Sequence, residues 1–252
     1  MRIVSLAPSN TEILFAIGAG GDVVGRTAYC DFPREALGIP KIGDYVNPEP
    51  SLIKSLNPDL VLTSTIVQEK LAARLMEAGL PVTHFDPRTL NGVFESVMQI
   101  GELVGRRGGA EGVIRGMEDG FHSLMDCPAG KKPRLYIEEW HEPPFVSGNW
   151  VPKIAAIAGA DYPLALEGQL SREIPLEEIK EFDPEIIVLS ICGVRAGPDL
   201  VQKRRGWEGI SAVRAGRVYA MDDSLLNRPG PRLVEGARQL KKLISSSLQT
   251  SC

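Results

Sequence analysis

SLIKSLNPDLVLTS (residues 51–64) and LEEIKEFDPEIIVLS (residues 176–190) are two versions of one unit, half a chain apart. Each starts as a short amphipathic helix, stops at Asn57-Pro58 or Asp183-Pro184, and continues as an apolar run. Proline ends a helix and biases its predecessor toward extended backbone. Leu60-Val61-Leu62 and Ile186-Ile187-Val188-Leu189 have the continuous hydrophobicity of strands covered on both faces. A second echo, Thr11–Gly20 (TEILFAIGAG) against Val151–Ala160 (VPKIAAIAGA), falls in the same order in each half. Two echoes in matching order predict an α/β chain of two lobes with a ligand cleft between them.

Working outward, the first 90 residues alternate strand and helix. Ile3–Leu6 and Val23–Arg26 read as strands, with a helix from about Asn10 to Ile17 between them, capped by Ser9 or Asn10 and stopped at Gly18. Leu60–Ser64 and Pro81–Phe85 are the next strands, flanking a helix over Gln68–Ala78. Residues 91–130 contain no strand pattern. Val93, Val97, Ile100 and Val104 follow helical spacing, as do Val113, Met117, Phe121 and Leu124, with Gly105–Gly109 separating the two helices. The alternation resumes at Arg134–Ile137, ends in strand Val218–Met221, and closes with a helix over Arg232–Leu248. The expected architecture is therefore two Rossmann-like lobes with parallel sheets: residues 1–90, a helical connector over 91–130, and residues 131–252.

Composition narrows the function. The 252 residues are 43% hydrophobic and 24% charged, with a formal net charge of −4, so nothing predicts a nucleic-acid partner. No apolar run is long enough to span a membrane. The basic doublets and triplets, Arg106-Arg107, Lys131-Lys132 and Lys203-Arg204-Arg205, stand beside Gly or Pro and read as solvated loop charge. Cys30, Cys127, Cys192 and Cys252 are scattered, with no zinc-ligand spacing and no disulfide framework. The opening Met1-Arg2-Ile3-Val4 has no secretory h-region, which sets the expectation of a cytoplasmic protein; a trimmed signal peptide and an extracytoplasmic location are the alternative.

Three segments follow strands and could carry chemistry: Ala7–Asn10, Glu138–Trp150 (EEWHEPPFVSGNW) and Leu226–Pro231 (LNRPGP). In open parallel sheets, ligands bind beyond the carboxyl ends of strands. Trp140 and Trp150 share the second segment, where Pro143-Pro144 fixes the backbone, so it reads either as core cover or as a rigid platform for a ligand. Catalytic signals are poor: no nucleophile elbow and no phosphate-binding lysine motif occur. A metal at His141 with Glu138, Glu139 and Glu142 would need a helix, which Pro143 opposes. Arg228 either pairs with an anionic ligand group or caps the loop before the last helix.

Taken together, IVSLAPSNTEILFAIGAGGDVVG, YCDFP, the helix-NPDLVL unit, EEWHEPPFVSGNWVPKIAAIAG, SREIPLEEIKEFDPEIIVL and RPGPRLVEGARQL resemble the helical-backbone periplasmic-binding-protein fold. Within it, the chain resembles the cobalamin (vitamin B12) binding proteins of ABC importers, in a branch that starts at the first strand. The resemblance implies non-enzymatic binding of cobalamin or another corrinoid as ligand, no catalytic cofactor and no resident metal. By matching position it implies Tyr45, Phe145 and Arg228 as ligand contacts. Tyr29, Trp140, Trp150 and Arg172 join them by position, because a corrin disc wants flat aromatic walls and hydrogen-bond donors. It implies Glu177 as a docking residue for an ABC importer permease, while Ser51 replaces the acid expected in the first lobe, with Glu49 nearest. Ser64 stands where an importer protein can present a tryptophan. The alternatives are a siderophore, haem or metal-chelate binder, or an enzyme acting on a corrinoid through Glu139, His141 or Asp44.

Overall fold

The computed structural model describes residues 1–125, 132–194 and 196–249; the expectations for Cys127, Lys131 and Cys252 lie outside them. The chain divides into two compact units, Met1–Pro87 with Asn91–Met117, and Arg88–Leu90 with Glu118–Cys252.

Unit 1 is a four-stranded parallel sheet in the order β2-β1-β3-β4, with β1 Ile3–Ser5, β2 Val23–Arg26, β3 Leu60–Ser64 and β4 Val82–Phe85. Alternate side chains leave opposite faces of a strand, and two core clusters result. Ile3, Leu60 and Leu62 pack on one face with Ile13, Leu14, Val97 and Ile100. Val4, Leu6 and Val61 pack on the other with Ile53, Leu71 and Leu75. The helices supplying these partners are α1 (Pro8–Ala16), α2 (Pro50–Ser55), α3 (Glu69–Glu77) and α4 (Leu90–Leu103).

The start of α1 differs from expectation. Its N-cap is Ala7, with no side-chain cap, because Pro8 takes the first turn, where a missing N–H costs nothing. Asn10 and Thr11 are thereby freed for the sheet. Asn10 Nδ2 donates to the Thr63 carbonyl at 3.1 Å, and Thr11 Oγ1 donates to Ser5 Oγ at 2.7 Å.

The next helix, α5, covers Arg107–His122. The break before it lies at Gly105 (φ +67°), and Gly108 and Gly109 are inside α5 rather than in the interruption. Gly109 packs directly on the backbone of Ile17, where a Cβ would meet the carbonyl oxygen at 2.5 Å. The division between units falls within α5, after Met117.

Unit 2 holds a five-stranded sheet, β7-β6-β5-β8-β9, with β5 Leu135–His141, β6 Pro144–Val146, β7 Arg172–Glu173, β8 Ile186–Leu189 and β9 Val218–Ala220. β5, β8 and β9 run parallel, but β6 and β7 are antiparallel, so this sheet is mixed rather than parallel throughout. The segment expected as a loop after the first strand of this half instead continues β5 to His141 and returns as β6. The other helices of this unit are α6 (Val151–Ile157), α7 (Leu176–Phe182), α8 (Asp199–Gln202), α9 (Ser211–Arg214) and α10 (Leu233–Gln249). The duplicated helix-Pro-strand units appear as α2-β3 and α7-β8, with Asn57 and Asp183 both at positive φ (47° and 45°) as the chain leaves each helix.

Candidate functional site

In unit 1 all four strands are parallel, so their carboxyl ends share one edge. The segments leaving β2 and β3 there carry exposed apolar side chains: Tyr29 (51% exposed), Ile66 (38%) and Val67 (58%). Tyr45 joins them although it lies far along the loop after β2. Its hydroxyl meets Thr65 Oγ1 at 3.1 Å and donates to the Ser64 carbonyl at 3.3 Å. Tyr29 stands edge-on to Tyr45, with ring centroids 6.4 Å apart and planes at 79°, a favoured aromatic geometry. Tyr29 and Tyr45, both anticipated, are therefore brought together. Ile66 and Val67 were missed, because they fall between the strand ending at Ser64 and the helix expected from Gln68 and carry no motif of their own. Ser64 itself is buried, its N–H donating to Gln68 Oε1 at 2.8 Å.

In unit 2 the parallel part of the sheet ends with Glu138 opposite Leu189, so the last residues of β5 project beyond β8. Trp140 and Phe145 face each other across the β5-β6 hairpin. Trp140 is 43% exposed, and its indole N–H donates to the Glu142 carbonyl at 3.1 Å. Phe145 is half-buried. Trp150 is different: it is 3% exposed, and its Nε1 donates to the Leu226 carbonyl at 2.7 Å, which fixes the start of the LNRPGP segment. Arg228, on that segment, is half-buried and lies near Asp222 and Asp223. Burial opposes ionisation of Asp222, but the Ser224 hydrogen bonds, with Arg232 and Arg228 behind them, hold its carboxyl below the ordinary range.

Arg172 sits on β7 with its guanidinium forked by Glu178, and Nη2 also donates to the Leu164 carbonyl at 3.0 Å. Glu177 is exposed in the first turn of α7. Ser51, at the corresponding place on α2, is exposed and donates to Glu49 Oε1 at 3.2 Å.

The two adjacent glutamates of β5 have opposite environments. Glu138 is fully buried and paired with Arg204. Glu139, on the other face, receives the Ser171 hydroxyl and stands near Tyr162 and Cys192. Burial raises its carboxyl above the ordinary range, and the Ser171 hydrogen bond only partly offsets this. Asp44, the third residue weighed as an acid–base group, spends its carboxylate on the backbone N–H groups of Val46 and Asn47 (2.9 and 2.6 Å). Among the described residues no group of three or more His, Cys, Asp or Glu side chains is placed to hold a metal ion. None of the described helices is long and apolar enough to cross a membrane.

Comparison with known proteins fits this geometry. The family model described as periplasmic binding protein matches residues 3–225. The chain is 31% identical over 253 residues to the uncharacterized ABC transporter substrate-binding lipoprotein YvrC of Bacillus subtilis, covering 96% of this chain and 79% of that one. It is 23% identical to the vitamin B12-binding protein of Vibrio cholerae, covering 95% and 87%. In three dimensions it matches the periplasmic haem-binding protein HutB of Vibrio cholerae with a TM-score of 0.81 at 19% identity, covering 96% and 98%. These findings correct the expectation of a cytoplasmic protein: the family is that of periplasmic binding proteins, and the Bacillus relative is a lipoprotein. The expectation leaned on the first residues of the sequence, which carry no information about the compartment.

Proposed function

The chain belongs to the periplasmic binding protein family, and from that membership we propose that it binds cobalamin or a related corrinoid for an ABC importer. The observation that supports this reading is the apolar, aromatic character of the strand-end residues. Tyr29, Tyr45, Ile66 and Val67 in unit 1, and Trp140 and Phe145 in unit 2, present flat or branched apolar surface, and none of these six side chains carries a charge. A corrin is a broad disc with apolar faces and an amide rim. Aromatic walls recover the faces, and Arg228 supplies hydrogen-bond donors for the rim. In this reading Trp150 acts behind the wall, by holding Leu226, and Arg172 braces α7 through Glu178. Membership also implies a permease partner. Glu177 is proposed as its contact on α7, while α2 offers Glu49 and Ser51 in place of a matching acid.

A second chelate, haem, is favoured by the structural likeness to HutB, a haem-binding protein. Titration of the purified chain with cyanocobalamin and, separately, hemin decides between them, followed by ligand absorbance and by tryptophan quenching. Saturation by cyanocobalamin near one equivalent, with hemin binding at least about tenfold weaker, is expected. No spectral change with cyanocobalamin ends the corrinoid reading, and hemin saturation then transfers the site to haem.

A further inference from the structure

Tyr45 is anchored from beneath by a side chain outside its own loop. Gln68 is fully buried and uses both ends of its amide. Its oxygen accepts from the Ser64 N–H at 2.8 Å, and its nitrogen donates to the carbonyls of Leu6 (2.9 Å) and Tyr45 (2.6 Å). The ends of β1 and β3 and the backbone of the Tyr45 loop are thus tied to one group.

The ring is anchored separately. Thr65 has φ 63° and ψ 159°, a conformation that is almost confined to glycine. A β-branched residue is a poor choice there on backbone grounds alone. What threonine offers and glycine lacks is the hydroxyl, and that hydroxyl lies 3.1 Å from the Tyr45 phenol. The same backbone turn leads into Ile66 and Val67, both exposed, and then into buried Gln68.

We infer that Thr65 is a positioning residue for the ligand site: it holds the Tyr45 ring in its binding orientation through the hydroxyl. This rests on the reading of the unit 1 strand ends as a ligand face. The strain at Thr65 is retained because the alternative, an unstrained glycine, would remove the hydroxyl contact that adds to the Ser64 bond in fixing the ring.

A double-mutant cycle on cyanocobalamin affinity tests it. Thr65→Val keeps the shape and removes the hydroxyl, and is expected to weaken binding about five- to tenfold, as is Tyr45→Phe. The double variant is expected to bind no worse than Tyr45→Phe alone, because that change already removes the contact with Thr65 along with the bond to the Ser64 carbonyl. Thr65→Ser, which keeps the hydroxyl, is expected to stay within about twofold of the parent. Additive losses, or a serine variant as weak as the valine one, would overturn the inference. A ligand-free readout separates this from failure of the proposed function. The Tyr45 phenolic carbon resonance, assigned by its loss in Tyr45→Phe, is expected to move in Thr65→Val and to hold its place in Thr65→Ser. An unmoved resonance in Thr65→Val rejects the positioning role whatever the chain binds.

Discussion

The Glu138 carboxylate and the Arg204 guanidinium meet on two parallel arms, each 2.7 Å, with Glu138 wholly buried and the Arg204 side chain 16% exposed. The Tyr136 hydroxyl donates to the same carboxylate at 2.9 Å, and Arg204 lies 4.8 Å over the Trp207 ring. Breaking one half of such a pair leaves a buried charge uncompensated. Arg204→Leu is therefore expected to destabilise unit 2 by about 3–5 kcal/mol. Replacing both partners with apolar residues of similar size should recover most of that loss. Urea unfolding of the two variants beside the parent checks it, and an Arg204→Leu chain as stable as the parent would refute the buried-pair account.

Glu139 makes a pH-dependent prediction of opposite character. Its carboxyl is raised above the ordinary 4.5 by burial, so the protonated form is the one the fold favours. A raised value contributes stability that is complete below the unfolded-state value and is lost as pH rises through the folded-state value. Glu139→Gln imitates the protonated form. Its melting temperature should match the parent near pH 4 and exceed it near pH 8. Equal differences at both pH values would show that the charge of Glu139 is not what burial opposes.

Cys192 should be chemically quiet. Burial, reinforced by Glu139 nearby, pushes its thiol up to about 12, and the Asn227 amide donates to its sulfur at 3.1 Å. Because the thiolate is the reactive species, alkylation of Cys192 near pH 8 should be at least about a hundredfold slower in the folded chain than in the unfolded one. Peptide-resolved mass spectrometry after iodoacetamide treatment reads this directly, and rapid labelling of the native protein would contradict it.

Gly236, on α10, lies against the turn that precedes the LNRPGP segment. A Cβ at 236 would come within 2.1 Å of the Leu225 carbonyl oxygen, which is backbone and has no rotamer to give. Gly236→Ala is expected to cost about 1–3 kcal/mol. It should also disturb the neighbouring Leu226 carbonyl that Trp150 holds. Thermal melts would register the first effect and a red-shifted tryptophan emission the second.

Much of the fold was legible because the duplicated unit combines three signals that agree: an amphipathic turn, a proline stop and an apolar run. Those signals fixed β3 and β8, and helical spacing at Val93, Val97 and Ile100 found the buried face of α4. The β5-β6 hairpin was hidden because β6 has only three residues, its register with β5 is irregular, and Pro143-Pro144 reads as a break. The N-terminus of α1 was misplaced because Ser9 and Asn10 are good caps by type, while Pro8 determines the start by geometry.

For the site, the family resemblance implied Tyr45 and Phe145, and position together with aromatic type added Tyr29, Trp140 and Trp150. Residue type could not separate exposed Trp140 from buried Trp150 ten residues away, since burial of an indole is decided by what packs over it. Nor could it foresee that Thr65 would adopt a glycine conformation, because threonine is among the residues least expected there.

The two-residue strand β7 bounds the unit 2 sheet with Arg172 and Glu173, a pair of charged side chains in place of a long apolar run. A free sheet edge is an open row of backbone donors and acceptors that any passing strand can extend. Here that row is about the shortest a ladder can have, and a foreign strand laid along it would have to desolvate two charges to gain a few hydrogen bonds. The sheet is thus guarded on this side against growing into its neighbours, a property that would show as resistance to fibrillar aggregation when the chain is concentrated.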